Sequence, residues 1–207
     1  MSLEILRSIV LSYLIGSIPT AYILGRLFKG VDIRKFGSGN VGATNAFRVL
    51  GKKIGITVLI FDIFKGLFVV LLLGDYLVSK LSFNPSLARI ILGLTAVAGH
   101  IWTVFLKFKG GKGVATSLGV FLGLALRIEG LGWTVFLVIL SWLVIFLFFR
   151  IVSLASVITA FGFPIYTYLF CKEKEVFFFS LIFSLLILLR HKENIKRLIS
   201  REEKPLF

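Results

Sequence analysis

The sequence predicts an all-α, polytopic membrane protein with seven transmembrane helices, on three observations. The first is composition: 57% of the 207 residues are hydrophobic and only 16% are charged, against roughly 25% charged in a soluble domain, and the mean hydropathy is +0.98. The second is the length of the apolar runs, several of which approach the roughly 20 residues that cross a hydrocarbon core about 30 Å thick. The third is where the charge sits. So apolar a chain still carries a net +14, and the excess must lie outside the lipid. Disorder and collagen are excluded by 22 Phe and only four Pro. Cys171 is the one cysteine, so neither an internal disulfide nor a cysteine metal cage is expected.

Apolar runs between charge clusters place the spans at about 3–25, 54–73, 86–106, 114–128, 131–149, 151–170 and 175–189, in a single integral membrane domain over 1–207. The first run has Glu4 beside Arg7 and no small-x-small cleavage site, so it reads as a retained span rather than a signal peptide. The fourth is short, reaching only about 22 Å at 1.5 Å per residue. Its series Ala115, Gly119, Gly123 suits a helix tucked against its neighbours, because small residues four apart let backbones approach closely in lipid. Ser12, Gly16 and Thr20 repeat the pattern in the first span. In the second, Asp62 and Lys65 are spaced to pair on one helix face as a structural element.

With the spans so placed, 26–53, 107–113, Arg150 and 190–207 carry 17 Lys and Arg against the four acids Asp32, Glu193, Glu202 and Glu203, a net +13. The opposite face nets +1. The positive-inside rule makes the +13 face cytoplasmic, with the amino end outside and the carboxyl end inside, as an odd number of spans requires. Topology alone accounts for such asymmetry. Glycines among the charges point to a ligand as well.

Gly37-Ser38-Gly39-Asn40-Val41-Gly42-Ala43-Thr44-Asn45, followed by Arg48, occupies the first of these loops. Its glycines match G-x-G-x-x-G, but no strand precedes them and no βαβ unit surrounds them, so a dinucleotide fold does not follow. The physics survives: glycines permit turns whose N–H groups converge on an anion, and Ser38, Asn40, Thr44 and Asn45 add side-chain donors. The competing reading is a flexible turn. A second cluster, Lys107-Phe108-Lys109-Gly110-Gly111-Lys112-Gly113, stands just before the fourth span. Gly113 after Lys112 rules out a Walker A loop, yet three cations and three glycines ahead of an electropositive helix N-terminus suit a phosphate. A third set, Arg190-His191-Lys192-Glu193-Asn194-Ile195-Lys196-Arg197, follows the last span. At helical spacing Arg190, Asn194 and Arg197 share one face, with His191 adjacent. A basic tail on anionic lipid is the competing reading.

The three donor-rich segments are expected to converge on a substrate bearing more than one phosphate-like group. The acids of that face lack paired carboxylate spacing, so no metal ion is expected. His100 lies within the third span, where it either bonds a neighbour or has a functional role, since polar groups in lipid are costly. Neither histidine begins an H-x4-D dyad, because Phe105 and Lys196 stand five residues on.

These motifs resemble those of the bacterial acyl-phosphate:glycerol-3-phosphate acyltransferases, a family of integral membrane enzymes. The likeness rests on G-S-G-N-V-G-A-T-N-x-x-R at 37–48, G-H-x-x-x-x-F-x-x-F-K-G-G-K-G-V-A-T at 99–116 and R-H-x-x-N-I-x-R-L at 190–198. Gly16-Ser17-Ile18-Pro19, Asp62-x-x-Lys65-Gly66 and Val152-Ser153-Leu154-Ala155-Ser156 are subsidiary matches. Two residues depart: Thr103 stands where the family usually has Pro, which predicts a straighter third helix, and Arg201 stands where Gly usually precedes the terminal Glu.

The resemblance implies seven spans in a bacterial inner (cytoplasmic) membrane with the active site facing the cytoplasm. It implies transfer of a fatty acyl group from acyl phosphate to the 1-hydroxyl of glycerol 3-phosphate, giving lysophosphatidic acid and phosphate, an early step of phospholipid biosynthesis. No cofactor and no nucleic-acid partner is implied; the bilayer is an expected partner, and docking of a soluble acyl-phosphate-producing enzyme is left open. Carried onto the matching positions, the catalytic residues are His191, Asn194, Lys112 and Arg48. Ser38, Gly39, Asn40, Gly42, Thr44, Asn45, Gly110, Gly111, Gly113, Ser156 and Arg197 bind substrate, with His100, Lys109 and Ser153 in support. Acyl phosphate is a mixed anhydride with a good leaving group, so the protein needs mainly to position two anions and stabilise a developing oxyanion. The proton acceptor is either His191 or the acyl phosphate's own oxygen, with substrate assistance favoured. A transporter for an organic phosphate, using Asp62 and Lys65 as a midplane relay, is the rival from another class; the lack of an evident internal repeat argues against it. Acyl-CoA or an acyl-carrier protein is the rival donor.

Overall fold

The computed structural model describes residues 2–80 and 84–207, which contain helices and turns and no β-strand. Lipid offers no hydrogen-bond partners, so a spanning backbone must satisfy its own N–H and C=O groups, as a helix does. Among the described residues, four stretches are long and apolar enough to cross a membrane: Lys52–Lys80, Pro85–Leu106, Leu131–Phe149 and Val152–Phe170. A fifth arises if Leu3–Ser17 and Thr20–Lys29, bent by 41° at their junction, count as one span. The described residues pack as two compact units, one ending at Gly123 and the other running from Leu124 to Phe207.

The first unit contains α1 (Ser2–Ser17), α2 (Thr20–Lys29), α3 (Ala43–Leu50), α4 (Lys52–Phe68), α5 (Asp75–Lys80) and α6 (Pro85–Ile101), and most of α7 (Val114–Ala125). A π-helical stretch, Val69–Gly74, joins α4 to α5. The run expected as one span at 3–25 is not one straight helix: it breaks between α1 and α2, because Pro19 has no N–H to continue the ladder. Ile18 O, released from that ladder, accepts from the Thr20 amide at 3.1 Å and from Lys65 Nζ at 3.2 Å. α6 begins on an Asn84 cap, whose Oδ1 accepts from the Leu87 amide, with Pro85 as first helical residue. The α-helix itself ends at Ile101, while the spanning stretch runs on through the turn at Val104–Leu106 to the expected boundary. Thr103 in place of Pro does not straighten it: Thr103 is extended, its hydroxyl donates to the Ser17 carbonyl, and the Tyr13 hydroxyl donates to the Trp102 carbonyl. These bonds to the end of α1 hold the turn that Pro would otherwise impose.

Glycines set the closest helix contacts. On α1, a Cβ at Gly16 would lie 2.0 Å from the Ala96 carbonyl oxygen of α6. At the α4–α7 crossing, a Cβ at Gly66 would lie 2.1 Å from Thr116 O, and one at Gly119 only 1.9 Å from Ile63 O. Of the small-residue series expected in the fourth span, Gly119 therefore faces α4 and Gly123 faces Val70 and Leu67. α7 stops at Ala125 rather than 128, where Leu124 O accepts from the amides of Arg127 and Ile128 and Gly130 takes a left-handed turn at φ 79°.

The second unit holds α8 (Leu131–Phe149), α9 (Val152–Phe170), α10 (Lys174–Arg190) and α11 (Lys192–Ile199), with α9 packed against the other three. Trp142 Nε1 donates to Ser156 Oγ at 3.1 Å and Thr134 Oγ1 to Tyr166 O at 3.2 Å, tying α8 to α9. Leu147 and Phe148, near the end of α8, are 71% and 82% exposed. An apolar surface of that kind suits lipid contact.

Gly119→Ala is expected to lower the thermal-unfolding midpoint of the detergent-solubilised protein, overpacking costing about 1–3 kcal/mol or more. Gly132→Ala, where a Cβ meets nothing within 4 Å, should leave the midpoint unchanged or raise it slightly, since alanine favours the helix. Equal midpoints for the two variants would contradict the close-packing account.

Candidate active site

The first glycine loop is built from within. Asp32 caps the turn Ile33–Lys35 by accepting from the Arg34 amide, and its carboxylate takes Arg34 Nε at 2.9 Å and Nη2 at 2.7 Å. The Arg34 hydrogen bond outweighs desolvation and holds the Asp32 pKa at about 2. Both Arg26 and Arg34 lie over the Tyr22 ring, 5.4 and 5.0 Å from its centroid, a cation–π contact on each side of the acid.

Asn45, expected to donate to substrate, is buried and organises the loop instead. Its Oδ1 accepts from the Ser38 amide at 3.0 Å, and its Nδ2 faces the carbonyls of Ile33, Phe36 and Asn40 at 3.3, 3.1 and 3.0 Å. A neutral amide can serve both donors and acceptors, which a carboxylate cannot. Gly37 and Gly39 have φ of 58° and 71°, which only glycine adopts at little cost, and a Cβ at Gly37 would fall 2.2 Å from Asn45 Oδ1. The loop ends at Gly42, where α3 starts without a side-chain cap. Ser38 and Arg48 are exposed and Gly39, Asn40, Gly42 and Thr44 half-buried, and Asn40 Oδ1 is buried without a hydrogen-bond partner among the described residues.

The second loop folds back onto the end of α6. The Gly110 and Gly111 amides donate to the Ile101 and His100 carbonyls, each at 3.0 Å. Gly110 and Gly111 are expected to bind substrate; their N–H groups are used within the protein. Lys109 is exposed, Lys112 half-buried and Gly113 buried, with φ 84° at Gly113 leading into α7. His100 is buried on α6; its Nδ1 lies 3.1 Å from Thr116 Oγ1 and 3.8 Å from Asp62 Oδ1.

In the second unit, His191 sits at the junction of α10 and α11, where φ −101° and ψ 8° break the helix. The face expected to unite Arg190 with Asn194 and Arg197 is thereby split between two helices. His191 is buried, and its Nδ1 donates to Ile187 O at 2.8 Å, so in the neutral ring Nε2 is the acceptor. Asn194 Nδ2 donates to Glu203 Oε1 and Arg197 Nε to Glu203 Oε2. Ser153 Oγ also donates to Oε1, at 2.6 Å. Burial alone would raise the Glu203 pKa; hydrogen bonds from Ser153, Arg197 and Asn194 outweigh it and lower the value. In the sequence Glu203 reads only as one acid diluting a basic tail, and no local signal marks it as a hub. Ser156 is buried, donating to Val152 O at 2.9 Å while accepting from Trp142. Among the described residues, no three His, Cys, Asp or Glu side chains lie close enough to hold a metal ion.

Comparisons with known proteins agree on one family. The family model for glycerol-3-phosphate acyltransferase matches residues 6–201. The chain is 46% identical over 198 residues to a glycerol-3-phosphate acyltransferase of Fusobacterium nucleatum, covering 94% of each chain, and 44% identical over 205 residues to one of Macrococcus caseolyticus, covering 99% and 98%. Among solved structures, it is 37% identical to PlsY, an integral membrane glycerol 3-phosphate acyltransferase, in its glycerol 3-phosphate form, with a TM-score of 0.84 over 97% of this chain and 94% of that one. The lysophosphatidic acid form of PlsY gives a TM-score of 0.82 with the same coverage. With a family model spanning nearly its whole length and relatives of this identity, the chain belongs to the glycerol-3-phosphate acyltransferase family.

Proposed function

We propose that the chain transfers a fatty acyl group from acyl phosphate to the 1-hydroxyl of glycerol 3-phosphate, releasing lysophosphatidic acid and inorganic phosphate. The carbonyl C–O bond to phosphate breaks as the ester C–O bond forms, and the hydroxyl proton leaves with the phosphate. The observation that carries this reading is the loop 37–48: Asn45 holds it rigid from inside while Ser38, Asn40, Thr44 and Arg48 remain at or near its surface beside the uncapped start of α3. Donors fixed before substrate arrives cost no reorganisation during reaction.

In this reading Arg48, Lys112 and the first-loop donors hold phosphate, and Gly110, Gly111 and Gly113 shape the seat of Lys112. His191 and Asn194 orient the hydroxyl or the acyl carbonyl, with Arg197, Ser153 and Ser156 supporting them. Phosphate oxygen, rather than a side chain, takes the proton. α7 and α10 complete seven spans, with the amino end outside and the +13 face in the cytoplasm of a bacterial inner membrane. A soluble enzyme that makes acyl phosphate is the natural donor source, since that anhydride hydrolyses in water.

Purified protein with palmitoyl phosphate and glycerol 3-phosphate is expected to yield lysophosphatidic acid. Product from palmitoyl-CoA alone would overturn the donor assignment. Lys112→Ala should lower kcat/KM by about 10²-fold, or about 2.7 kcal/mol; unchanged constants would remove Lys112 from the phosphate site. His191→Gln should retain substantial turnover, and complete loss with the fold intact would make histidine the base. The Glu203 pKa is lowered on folding, so its stabilising effect is full above the ordinary carboxylate range and lost as pH falls through the lowered value. Glu203→Gln should therefore be less stable at neutral pH and lose less stability on acidification, as followed by thermal unfolding across pH.

A further inference from the structure

One buried polar cluster holds no substrate group in the reading above, which expects His100 only in a supporting role: Thr20, Asp62, Lys65, His100 and Thr116. It borders a cavity of about 10 Å³, lined in part by Ser17, Thr20, Asp62, His100, Thr103 and Gly111. That is room for a single water at most, too small as it stands for a substrate. Its position in the chain gives it another task.

We infer that His100 is a positioning residue for Lys112, its ring being the common support of the two backbone segments that flank the lysine. Gly111, immediately before Lys112, lies so close that a Cβ there would stand 2.2 Å from His100 Nε2, with Cδ2 and Cε1 at 3.0 and 3.1 Å. Thr116, in the first turn of α7, meets the opposite nitrogen, Nδ1, through Oγ1 at 3.1 Å. One imidazole therefore touches the chain on both sides of Lys112. A carboxylate of α4 stands beside the ring. Asp62 Oδ1 stands 3.8 Å from Nδ1 and is fixed by Lys65 Nζ at 2.9 Å and by Thr20 Oγ1 at 3.0 Å.

Lysine is a point charge on a flexible stem, so where its ammonium goes depends on where its backbone is seated. A displacement of about 1 Å from a productive geometry can cost 10²-fold in rate. A large rigid ring, hydrogen-bonded to Thr116 on one edge and packed by a side-chain-free residue on the other, limits that displacement. This inference rests on the reading that Lys112 holds a substrate phosphate.

The test is a double-mutant cycle in the acyl-transfer assay, with wild type, His100→Ala, Lys112→Ala and the double variant. His100→Ala alone is expected to lower kcat/KM for glycerol 3-phosphate by about 10- to 100-fold, and to change it by less than about twofold once Lys112 is alanine. Losses that simply multiply would overturn the inference, because His100 would then act elsewhere. Gly111→Ala supplies a second readout: its methyl group collides with the ring, so His100→Ala/Gly111→Ala should be at least as active as Gly111→Ala alone. A double variant less active than Gly111→Ala would count against the contact. Should His100→Ala fail to fold, His100→Asn, which can still bond Thr116 but withdraws from Gly111, takes its place in the cycle. If wild type transfers no acyl group, or Lys112→Ala matches wild type, the functional reading fails and this inference with it. An impaired Lys112→Ala with multiplying losses defeats the inference alone.

Discussion

A buried ion pair at a broken helix is the interaction on which the first unit depends. Pro19 interrupts the α1–α2 run and leaves the Ile18 carbonyl inside the protein, where Lys65 Nζ binds it and Asp62 balances the ammonium. The Lys65 and Asp62 side chains are only 7% and 2% exposed. Removing either partner of such a pair leaves an uncompensated buried charge and costs about 3–5 kcal/mol. The break turns α2 by 41° away from α1 and so sets where the chain enters the glycine loop. The same Asp62 lies 3.8 Å from the ring of His100, which contacts the second loop. Two loops rich in phosphate-type donors thus share one buried support.

Polar residues of the two units divide their work by burial. Asn45 and Glu203 lie inside and satisfy several backbone or side-chain partners each. Ser38 and Arg48 stand at the surface, held in place by the interior of their loop. A cation or hydroxyl stabilises a developing charge most effectively when its own position is already fixed. Rigid interiors supply that fixity without placing a further charge at the surface. In both units one small buried group ties together segments distant in sequence: Asp62 reaches Thr20, and Glu203 reaches Ser153.

Helices whose boundaries follow from local hydropathy were legible in the sequence. The expected segment 131–149 is α8 residue for residue, and 151–170 and 175–189 differ from α9 and α10 by a single residue at one or both ends. Boundaries decided by distant partners were not. Thr103 ends α6 through a carbonyl 86 positions away, and Asn45 closes a loop by reaching back as far as Ile33. The glycine motifs marked where the loops are, but not that the Gly110 and Gly111 amides are used on α6.

By itself the sequence determined an apolar helical chain, a strong excess of basic residues and three clusters of donor side chains, two of them rich in glycine, because composition and local spacing act through neighbouring residues. It also carried the family resemblance. Only the tertiary structure decided which donors point inward, that Glu203 gathers Ser153, Asn194 and Arg197, and that His100 touches the chain on both sides of Lys112. Those outcomes depend on hydrogen bonds and close contacts between residues far apart in the chain, whose geometry no local pattern encodes.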